Sequence, residues 1–244
     1  MNLPKPFLRL VVPVLALGLA AQAMAAGMVP DTTVLRVNAA DGEASLNVTN
    51  TDQAAALLYT SLTDLEQQPQ AYLLASPPVT RVEAGEKQLV RFMLKPGQTI
   101  TEQHMLRVIF EGIPERRLGN PSDLNVTVRQ NLPVILHPKG LAEDPQPWKR
   151  LAWRQDASTI TLSNDSPYVV RLSQHVTLLP DKINLALPHT YVLPRSHLVI
   201  DLPAPLKPGQ PRSVRLHPAS PYGFQGKPYE APLTCAPDAQ GCLQ

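Results

Sequence analysis

The stretch that most constrains the fold runs from Leu124 to Pro138 and reads LNVTVRQNLPVILHP. Every second residue from Leu124 to Leu136 is apolar, except Gln130, and the residues between them are mostly polar. Because side chains alternate across a β-strand, this spacing predicts one unusually long strand with an apolar face. Pro133 has no N–H to donate, which indicates an edge strand that is unpaired on that side. The sequence therefore predicts a long apolar sheet edge, a feature that proteins normally protect with charges or short length.

The first 26 residues have the layout of a secretory signal peptide. Lys5 and Arg9 precede an apolar run from Leu10 to Ala21, and the small-residue pattern Ala23-Met24-Ala25 follows. The apolar run is too short to span a bilayer as a helix. We therefore exclude residues 1–26 from the fold and expect the mature chain to be exported without membrane insertion.

Charge and composition narrow the class of protein further. The chain has 22 basic and 20 acidic residues, and removal of Lys5 and Arg9 leaves 22 − 2 = 20 basic against 20 acidic residues. Without a basic block, nucleic-acid binding has little support. The 27 prolines and the scarcity of amphipathic helical windows predict an all-β chain. In an exported protein the default interpretation of Cys235 and Cys242 is a disulfide that closes a short loop near the C-terminus.

A weak internal repeat predicts two domains. Residues 45–50 read SLNVTN and residues 159–167 read TITLSNDSP, which places Asn50 and Asn164 in corresponding positions 114 residues apart. That offset is about the length of an immunoglobulin-like sandwich. The alternating pattern typical of strands ends after residue 140, and prolines restrict the backbone of the segment that leads to Trp148. We predict two tandem immunoglobulin-like β-sandwich domains, at residues 27–140 and 141–244.

Strand-like runs separated by turn signals support this architecture. The predicted strands of the first half cover residues 33–37, 45–50, 56–61, 88–94, 104–113 and 124–136, and those of the second half cover 159–164, 169–177, 190–193, 197–202 and 213–216.

Four motifs resemble those of the periplasmic pilus chaperones, the PapD-like family. The stretch from Ser76 to Phe92 is similar to the first-domain signature of the family in its paired prolines, its Arg-x-x-x-Gly turn and the Val-Arg strand that follows. The run from Arg107 to Pro114 resembles the next strand of the family, with its Ile-Pro ending. Asn164-Asp165-Ser166-Pro167-Tyr168 is similar to a second-domain motif, and Tyr222-Gly223 to a late Tyr-Gly pair. These motifs occur in the family order over nearly the whole mature chain.

The resemblance implies a periplasmic chaperone that binds pilus subunits one to one, caps them and delivers them to an outer-membrane usher. Subunits of this class lack the last strand of their sandwich, and the chaperone lends its own edge strand, a form of β-augmentation. Leu124, Val126 and Val128 would enter the groove of the subunit. Gln130 would mark the point beyond which the strand buries its apolar face in its own domain.

The resemblance also implies a basic anchor for the terminal carboxylate of the subunit, because a buried carboxylate needs charge-assisted partners. The family uses an Arg on its first strand, for which Arg36 is the natural match, and a Lys on its last strand, where this chain has Pro133. Arg107, Arg129 and Lys139 are possible substitutes, and we prefer Arg107. Without the resemblance, Arg36 and Arg107 would be interpreted as surface arginines. His137 and Pro221 stand where the family has members of an interdomain charge cluster, which indicates a divergent branch.

Other functions find less support in the sequence. The six histidines show no recognised metal-ligand spacing, and no catalytic motif or cofactor-binding loop occurs, so we expect no metal, no cofactor and no enzyme activity. The alternatives are a structural pilus subunit, which would have one incomplete domain, and an exported adhesion or carbohydrate-binding module. Aromatic residues make up only 5% of the chain, which argues against an aromatic glycan platform.

Overall fold

The computed structural model describes residues 27–66, 72–115, 127–156, 158–204, 206, 212–220, 222–223 and 225–235, and they form an all-β structure. A single turn of 3-10 helix occurs at Pro147–Arg150. The strands, in chain order, are β1 Met28–Pro30, β2 Leu35–Asn38, β3 Glu43–Asn50, β4 Ala56–Asp64, β5 Leu73–Ser76, β6 Val79–Val82, β7 Lys87–Leu94, β8 His104–Pro114, β9 Arg129–His137, β10 Ala152–Gln155, β11 Thr159–Asn164, β12 Val170–Arg171, β13 His175–Leu179, β14 Ile183–Ala186, β15 Tyr191–Val192, β16 Ser196–Asp201, β17 Arg212–Leu216 and β18 Tyr229–Cys235.

Strands β1 to β9 form a β-sandwich of two sheets. The four-stranded sheet has the order β1-β3-β7-β5, and the five-stranded sheet has the order β2-β9-β8-β4-β6. Alternate residues of each strand point between the sheets and form one apolar core, to which β9 contributes Leu132, Val134 and Leu136. Phe92 and Phe110 meet edge to face in this core, with ring centroids 6.4 Å apart.

The start of the chain crosses from one sheet of this sandwich to the other. Strand β1 pairs with β3, whereas β2 pairs in parallel with the second half of β9, from Leu35 opposite Val134 to Asn38 opposite His137. On its other side, β9 pairs with β8 from Arg129 to Leu136. Within the part of the chain that the structure describes, the first half of β9 therefore has a neighbouring strand on one side only.

Strands β10 to β18 form the second immunoglobulin-like sandwich. Seven strands form one sheet with the order β14-β13-β17-β18-β10-β11-β16, and β12 and β15 form a two-stranded sheet. Both sheets contribute to a second apolar core, in which Trp153 is almost fully buried. The first strand of this sheet in chain order, β10, pairs in parallel with the last strand, β18. The same relation joins β2 and β9, so the predicted tandem repeat has a topological counterpart.

Asn50 and Asn164 play the same structural role in the two domains. Each is fully buried at the end of a strand, and each donates its side-chain amide to the carbonyl oxygen four residues later, Ala54 at 2.9 Å and Tyr168 at 2.8 Å. Each also accepts a hydrogen bond from the backbone amide two residues later. The predicted correspondence between these two asparagines is therefore confirmed.

The longer predicted strands are found, with bounds that shift by a few residues. The predicted strand over residues 169–177 is wrong as one element, because Leu172 and Ser173 bond to two other segments and the chain divides into β12 and β13, which belong to different sheets. The sequence analysis missed six strands, β1, β5, β6, β10, β14 and β18, of which all but the seven-residue β18 have three or four residues.

The two domains meet through a small apolar cluster, the interdomain cluster. Its members come from both domains: Val34, Met105, Ile135, Val169 and Leu193 are buried, and Leu65 and Tyr191 pack against them. Gly223 of the second domain also approaches the first domain closely, since a Cβ at this position would lie 2.4 Å from Thr33 Oγ1. Among the described residues, no helix is long and apolar enough to cross a membrane.

Candidate functional site

The free edge of β9 is the first component of the site. On this strand Leu132 and Val134 face the core, while Arg129 and Asn131 are exposed. Pro133 lies immediately before the residues that pair with β2, at the end of the free half. Leu124 and Val126 lie outside the described residues. Val128 is half-buried just before β9. A Cβ atom added to Gly27 would lie 3.6 Å from the Cβ atom of Val128.

Arg107 lies on β8, the neighbour of β9 on the side away from this free edge. It is opposite Pro133 in the β8–β9 pair, and its guanidinium donates to Asn131 through Nε to the side-chain oxygen at 2.8 Å and through Nη2 to the backbone oxygen at 3.2 Å. Burial lowers the pKa of Arg107, and the nearby Tyr191 acts in the opposite direction. The structure thus places a cation of the first domain where the free half of β9 ends.

Arg36 lies on β2, one strand beyond β9, and already has an anionic partner. Its Nη2 donates to both carboxylate oxygens of Glu143 at 2.8 Å. The side chain is only 16% exposed, and its guanidinium lies 5.4 Å from the ring centroid of Tyr222. The charge of Arg36 is therefore already paired in the free protein.

Arg171 of β12 lies at the cleft between the two domains, and the sequence analysis did not select this residue. It is opposite Tyr191 in the β12–β15 pair, and it lines a cavity between the domains together with Arg36 and Ile135. Its Nη1 is buried and has no hydrogen-bond partner among the described residues. Burial lowers the pKa of Arg171, and repulsion from the charge of Arg107 lowers it further. The sequence signal was available, because Arg171 is the one charged residue in the apolar run from Tyr168 to Leu172.

Carboxylates neutralise other arginines in and around the cleft but do not reach Arg107 or Arg171. Neither of these two has an ion-pair partner within the described part of the chain. The pairs that do form are Arg36 with Glu143, Arg150 with Asp144 and Arg195 with Glu102.

Gln103 joins the domains at the base of the cleft. Its backbone amide donates to Pro167 O and its side-chain oxygen accepts from the amide of Val169, both at 2.9 Å. Its side-chain nitrogen lies 2.9 Å from His137 Nδ1, and His137 Nε2 lies 2.9 Å from Leu141 O. These contacts fix the relative position of the two domains around the buried His137.

The remaining predicted site residues lie away from the cleft. Cys235 ends β18 and is disulfide-bonded, while Cys242 lies outside the described residues, so the pairing of the two stays a prediction. Lys139 is exposed beyond the end of β9, and Arg129 pairs with Glu111 at 2.9 Å. Among the described residues, no cluster of three or more His, Cys, Asp and Glu side chains could hold a metal ion.

The fold and the site together define a two-domain immunoglobulin-like protein with an open strand edge beside an interdomain cleft. Comparison with known families gives two matches. Residues 27–142 match the model described as pili and flagellar-assembly chaperone, PapD N-terminal domain, and residues 146–229 match the model for the C-terminal domain of the pili assembly chaperone PapD.

Individual proteins agree with these matches. An uncharacterized fimbrial chaperone of Escherichia coli K12, YhcA, is 40% identical over 211 residues, which are 86% of this chain and 92% of that protein. A chain of the Salmonella enterica SafA pilin–SafB chaperone complex has a TM-score of 0.70 at 20% identity, with 85% of this chain and 97% of that chain covered. The Escherichia coli chaperone DraB has a TM-score of 0.68 at 21% identity, with 84% and 98% covered. The chain belongs to the PapD-like family of pilus assembly chaperones.

Proposed function

We propose that this protein is a periplasmic chaperone that binds pilus subunits one to one, completes their fold with its own β9 edge and delivers them to an outer-membrane usher. The observation that carries this proposal is the one-sided pairing of the first half of β9. Free backbone N–H and C=O groups at a sheet edge bind an extended strand, and alternate side chains give the contact its specificity. The relative YhcA, described as a fimbrial chaperone, supports the same class of client.

The apolar face of the strand divides into two parts in this proposal. Leu132, Val134 and Leu136 are buried in the core of the first domain and are not available to a partner. Leu124, Val126 and Val128 continue the same alternation ahead of β9 and would fill the groove of the subunit. Gln130 lies between the two parts.

We further propose Arg107 as the first-domain anchor for the terminal carboxylate of the subunit. A client strand on the free edge of β9 must stop near Pro133, because β2 takes the same edge from Val134 onward. Arg107 lies opposite Pro133, and a strand that ends there with its carboxylate would run parallel to β9. Arg36 stays the alternative that the family resemblance implies, and its Nη2 already donates to Glu143.

The location, the partners and the absence of enzyme activity belong to the same proposal. Residues 1–26 would be removed on export, and the mature chain would act in the periplasm without a cofactor. The usher would receive the chaperone–subunit complex. Binding of a client strand requires no chemical step, so the protein would not act as an enzyme.

Co-expression in the periplasm tests the proposal. The subunit that co-purifies with the mature chain should be recovered in soluble form with the wild-type chaperone and lost with Val126→Asp, which would bury a charge in the groove of the subunit. Asn125→Asp is the matched control, because the same charge on the opposite face of the strand would remain in solvent. Equal recovery of the subunit with no chaperone would contradict the proposal.

A comparison of two arginine substitutions tests Arg107 as the anchor. Arg107→Gln should weaken subunit binding about tenfold through loss of a charge-assisted hydrogen bond, whereas Arg129→Gln, on the same sheet face but paired with Glu111, should change it little. Binding constants from titration calorimetry measure both. Equal affinities of the two variants would leave Arg107 without an anchoring role.

A further inference from the structure

The guanidinium of Arg107 reaches from β8 across β9 to Asn131. Its Nε donates to the side-chain oxygen of Asn131 at 2.8 Å, and its Nη2 donates to the backbone oxygen of the same residue at 3.2 Å. In the strand pair Arg107 is opposite Pro133, so this contact runs diagonally over the outer face of the sheet. One side chain of β8 therefore bonds both oxygen atoms of Asn131.

The backbone oxygen of Asn131 points towards the free edge of β9. At the far end of the strand, the amide of Ala39, which follows β2, donates to His137 O at 2.8 Å, so the carbonyl of His137 faces away from β8. Backbone groups alternate in direction along a strand, and the β8–β9 register is continuous from Arg129 to Leu136. Asn131 precedes His137 by an even number of residues and therefore directs its carbonyl to the same side.

Arg107 thus occupies one of the few polar groups that the free edge offers. Within β9, Arg129 and Asn131 direct both backbone groups outwards, whereas Pro133 has no N–H to offer. The other cation on this face, Arg129, is neutralised by Glu111 at 2.9 Å. Proteins protect exposed sheet edges from unwanted pairing with charged side chains. Arg107 places such a charge over the edge from the neighbouring strand, so the alternation within β9 is unchanged.

We propose that Arg107 is an edge guard, which keeps the free half of β9 from pairing with the same edge of a second copy of this chain. Two copies related by a two-fold axis would present identical patches to each other. Each would bring its Arg107 charge towards that of the other copy, and like charges at short range repel. A strand without a cation at this position meets no such repulsion, so the guard acts against self-association in particular.

Sedimentation of the mature chain alone over a range of concentrations tests the guard. We expect Arg107→Gln to form a dimer with about tenfold higher affinity than the wild type, because the substitution removes the charge and the charge-assisted hydrogen bond. Sodium chloride should strengthen dimerisation of the wild type, since it screens the two guanidinium groups from each other. The same salt should change the dimerisation of Arg107→Gln little.

Three further variants separate the charge from the hydrogen bonds. Asn131→Ala removes the partner at 2.8 Å and leaves the guanidinium less fixed over the edge, so dimerisation should increase, but less than in Arg107→Gln. Arg107→Lys keeps the charge without the planar fork that bonds two acceptors, and should lie between the wild type and Arg107→Gln. Arg129→Gln is the matched control, because its charge is already paired with Glu111, and it should not increase dimerisation.

The location of the new contact is measured by amide hydrogen exchange. In the dimer of Arg107→Gln, the outward-pointing amides of Arg129 and Asn131 should become protected. A dimer that forms without this protection would contradict the guard, as would self-association of Arg107→Gln and Asn131→Ala no stronger than that of the wild type. Thermal unfolding establishes that each variant is folded, and Asn131→Ala decides the question if Arg107→Gln is not.

The guard does not depend on the proposed function, because it is measured without a subunit. If the proposed function is wrong, no subunit co-purifies, while the order of dimerisation among the variants stays as expected. If the guard is wrong, the variants dimerise alike, while the subunit still co-purifies with the wild type. The two failures therefore give different results.

Discussion

At the scale of single residues, two buried asparagines hold the loops that follow the first long strand of each domain. The side-chain nitrogen of Asn164 donates to three backbone carbonyls, at 2.8 Å to Tyr168, 3.3 Å to Val192 and 2.9 Å to Leu193. Two of these carbonyls belong to the neighbouring segment that contains β15. Asn164 therefore joins two loops of the second domain, and Leu193 is a member of the interdomain cluster.

Asn164→Ala should lower the free energy of unfolding of the second domain by about 3 kcal/mol, because it leaves buried carbonyls without a donor. Chemical denaturation followed by the fluorescence of Trp153, which is buried in that domain, measures the change. Asn184→Ala is the matched control, since Asn184 bonds Thr177 on the surface, and it should cost less than about 0.5 kcal/mol. Similar costs for both variants would contradict the structural role given to Asn164.

His104 makes stability depend on pH. Burial lowers its pKa, with an opposing effect of the nearby Glu102, and its ring lies 4.6 Å from that of Tyr72, centroid to centroid. The unfolded chain therefore binds a proton at higher pH than the folded chain does, so stability falls as the pH drops below about 6.5, the ordinary histidine value. The fall ends once the pH is below the pKa of the folded state.

His104→Phe should make the stability of the protein less sensitive to pH between about 7 and 5, since it keeps an aromatic ring beside Tyr72 and removes the titrating group. Denaturation curves at several pH values in that range test this. His175→Phe replaces an exposed histidine of the second domain and serves as the control. If the stability of His104→Phe and that of the wild type fall equally as the pH is lowered, His104 does not cause the pH dependence.

At the scale of strands and turns, the alternation pattern predicted the elements that face a core but not the short ones. Strands β3, β4, β7, β8 and β9 all present alternate apolar residues to the first core, and this alternation was legible in the sequence. Strands β5, β6, β10 and β14 have four residues each, and four residues are too few for a period of two to be distinguished from chance. Their positions depend on pairing with neighbours that are distant in the sequence.

The charged residues in and around the interdomain cleft could be predicted only in part from the sequence. Arg107 and Arg36 could be selected by their strand positions and by family resemblance. The ion pair of Arg36 with Glu143 joins residues that are 107 positions apart, and nothing local to either residue indicates it. Arg171 could be noticed as a charge in an apolar run, but its unsatisfied Nη1 depends on the way the two domains pack.

The turn that contains Gly223 is an element where the domains touch. Gly223 has a φ of +88°, and a Cβ there would lie 2.4 Å from Thr33 Oγ1 and 2.8 Å from Val34 Cγ2. Gly42 has a similar φ of +74°, with nothing within 4 Å of its would-be Cβ. The two glycines share the backbone requirement, and only Gly223 has the contact with the other domain.

Both Gly42→Ala and Gly223→Ala should cost about 1 kcal/mol for the left-handed backbone, and Gly223→Ala should cost more because it also collides with the first domain. Thermal unfolding measures the difference between them. Combining Gly223→Ala with Thr33→Ala should recover part of the extra loss, since the closest collision is with Thr33 Oγ1. Equal losses for the two single variants would show that the domains do not press against each other here.

At the scale of the whole molecule, the two sandwiches are joined by apolar, polar and ionic contacts that surround one cleft. The interdomain cluster supplies the apolar part, Gln103 the hydrogen bonds, and Arg36 with Glu143 the ion pair. The free half of β9 lies beside this cleft, and Arg171 lines the cavity within it. A client strand on this edge would therefore lie next to the boundary between the two domains.

The central claim is that the free half of β9 is the edge that a client strand completes, and amide hydrogen exchange tests it most directly. Exchange is compared by mass spectrometry for the mature chain alone and for its complex with the co-purified subunit. We predict that those amides from Thr127 to Leu132 that point away from β8 exchange quickly in the free chain and become protected in the complex, whereas the amides from Val134 to His137, in the part already paired with β2, change little. A stable complex in which those outward-pointing amides gain no protection would contradict the account.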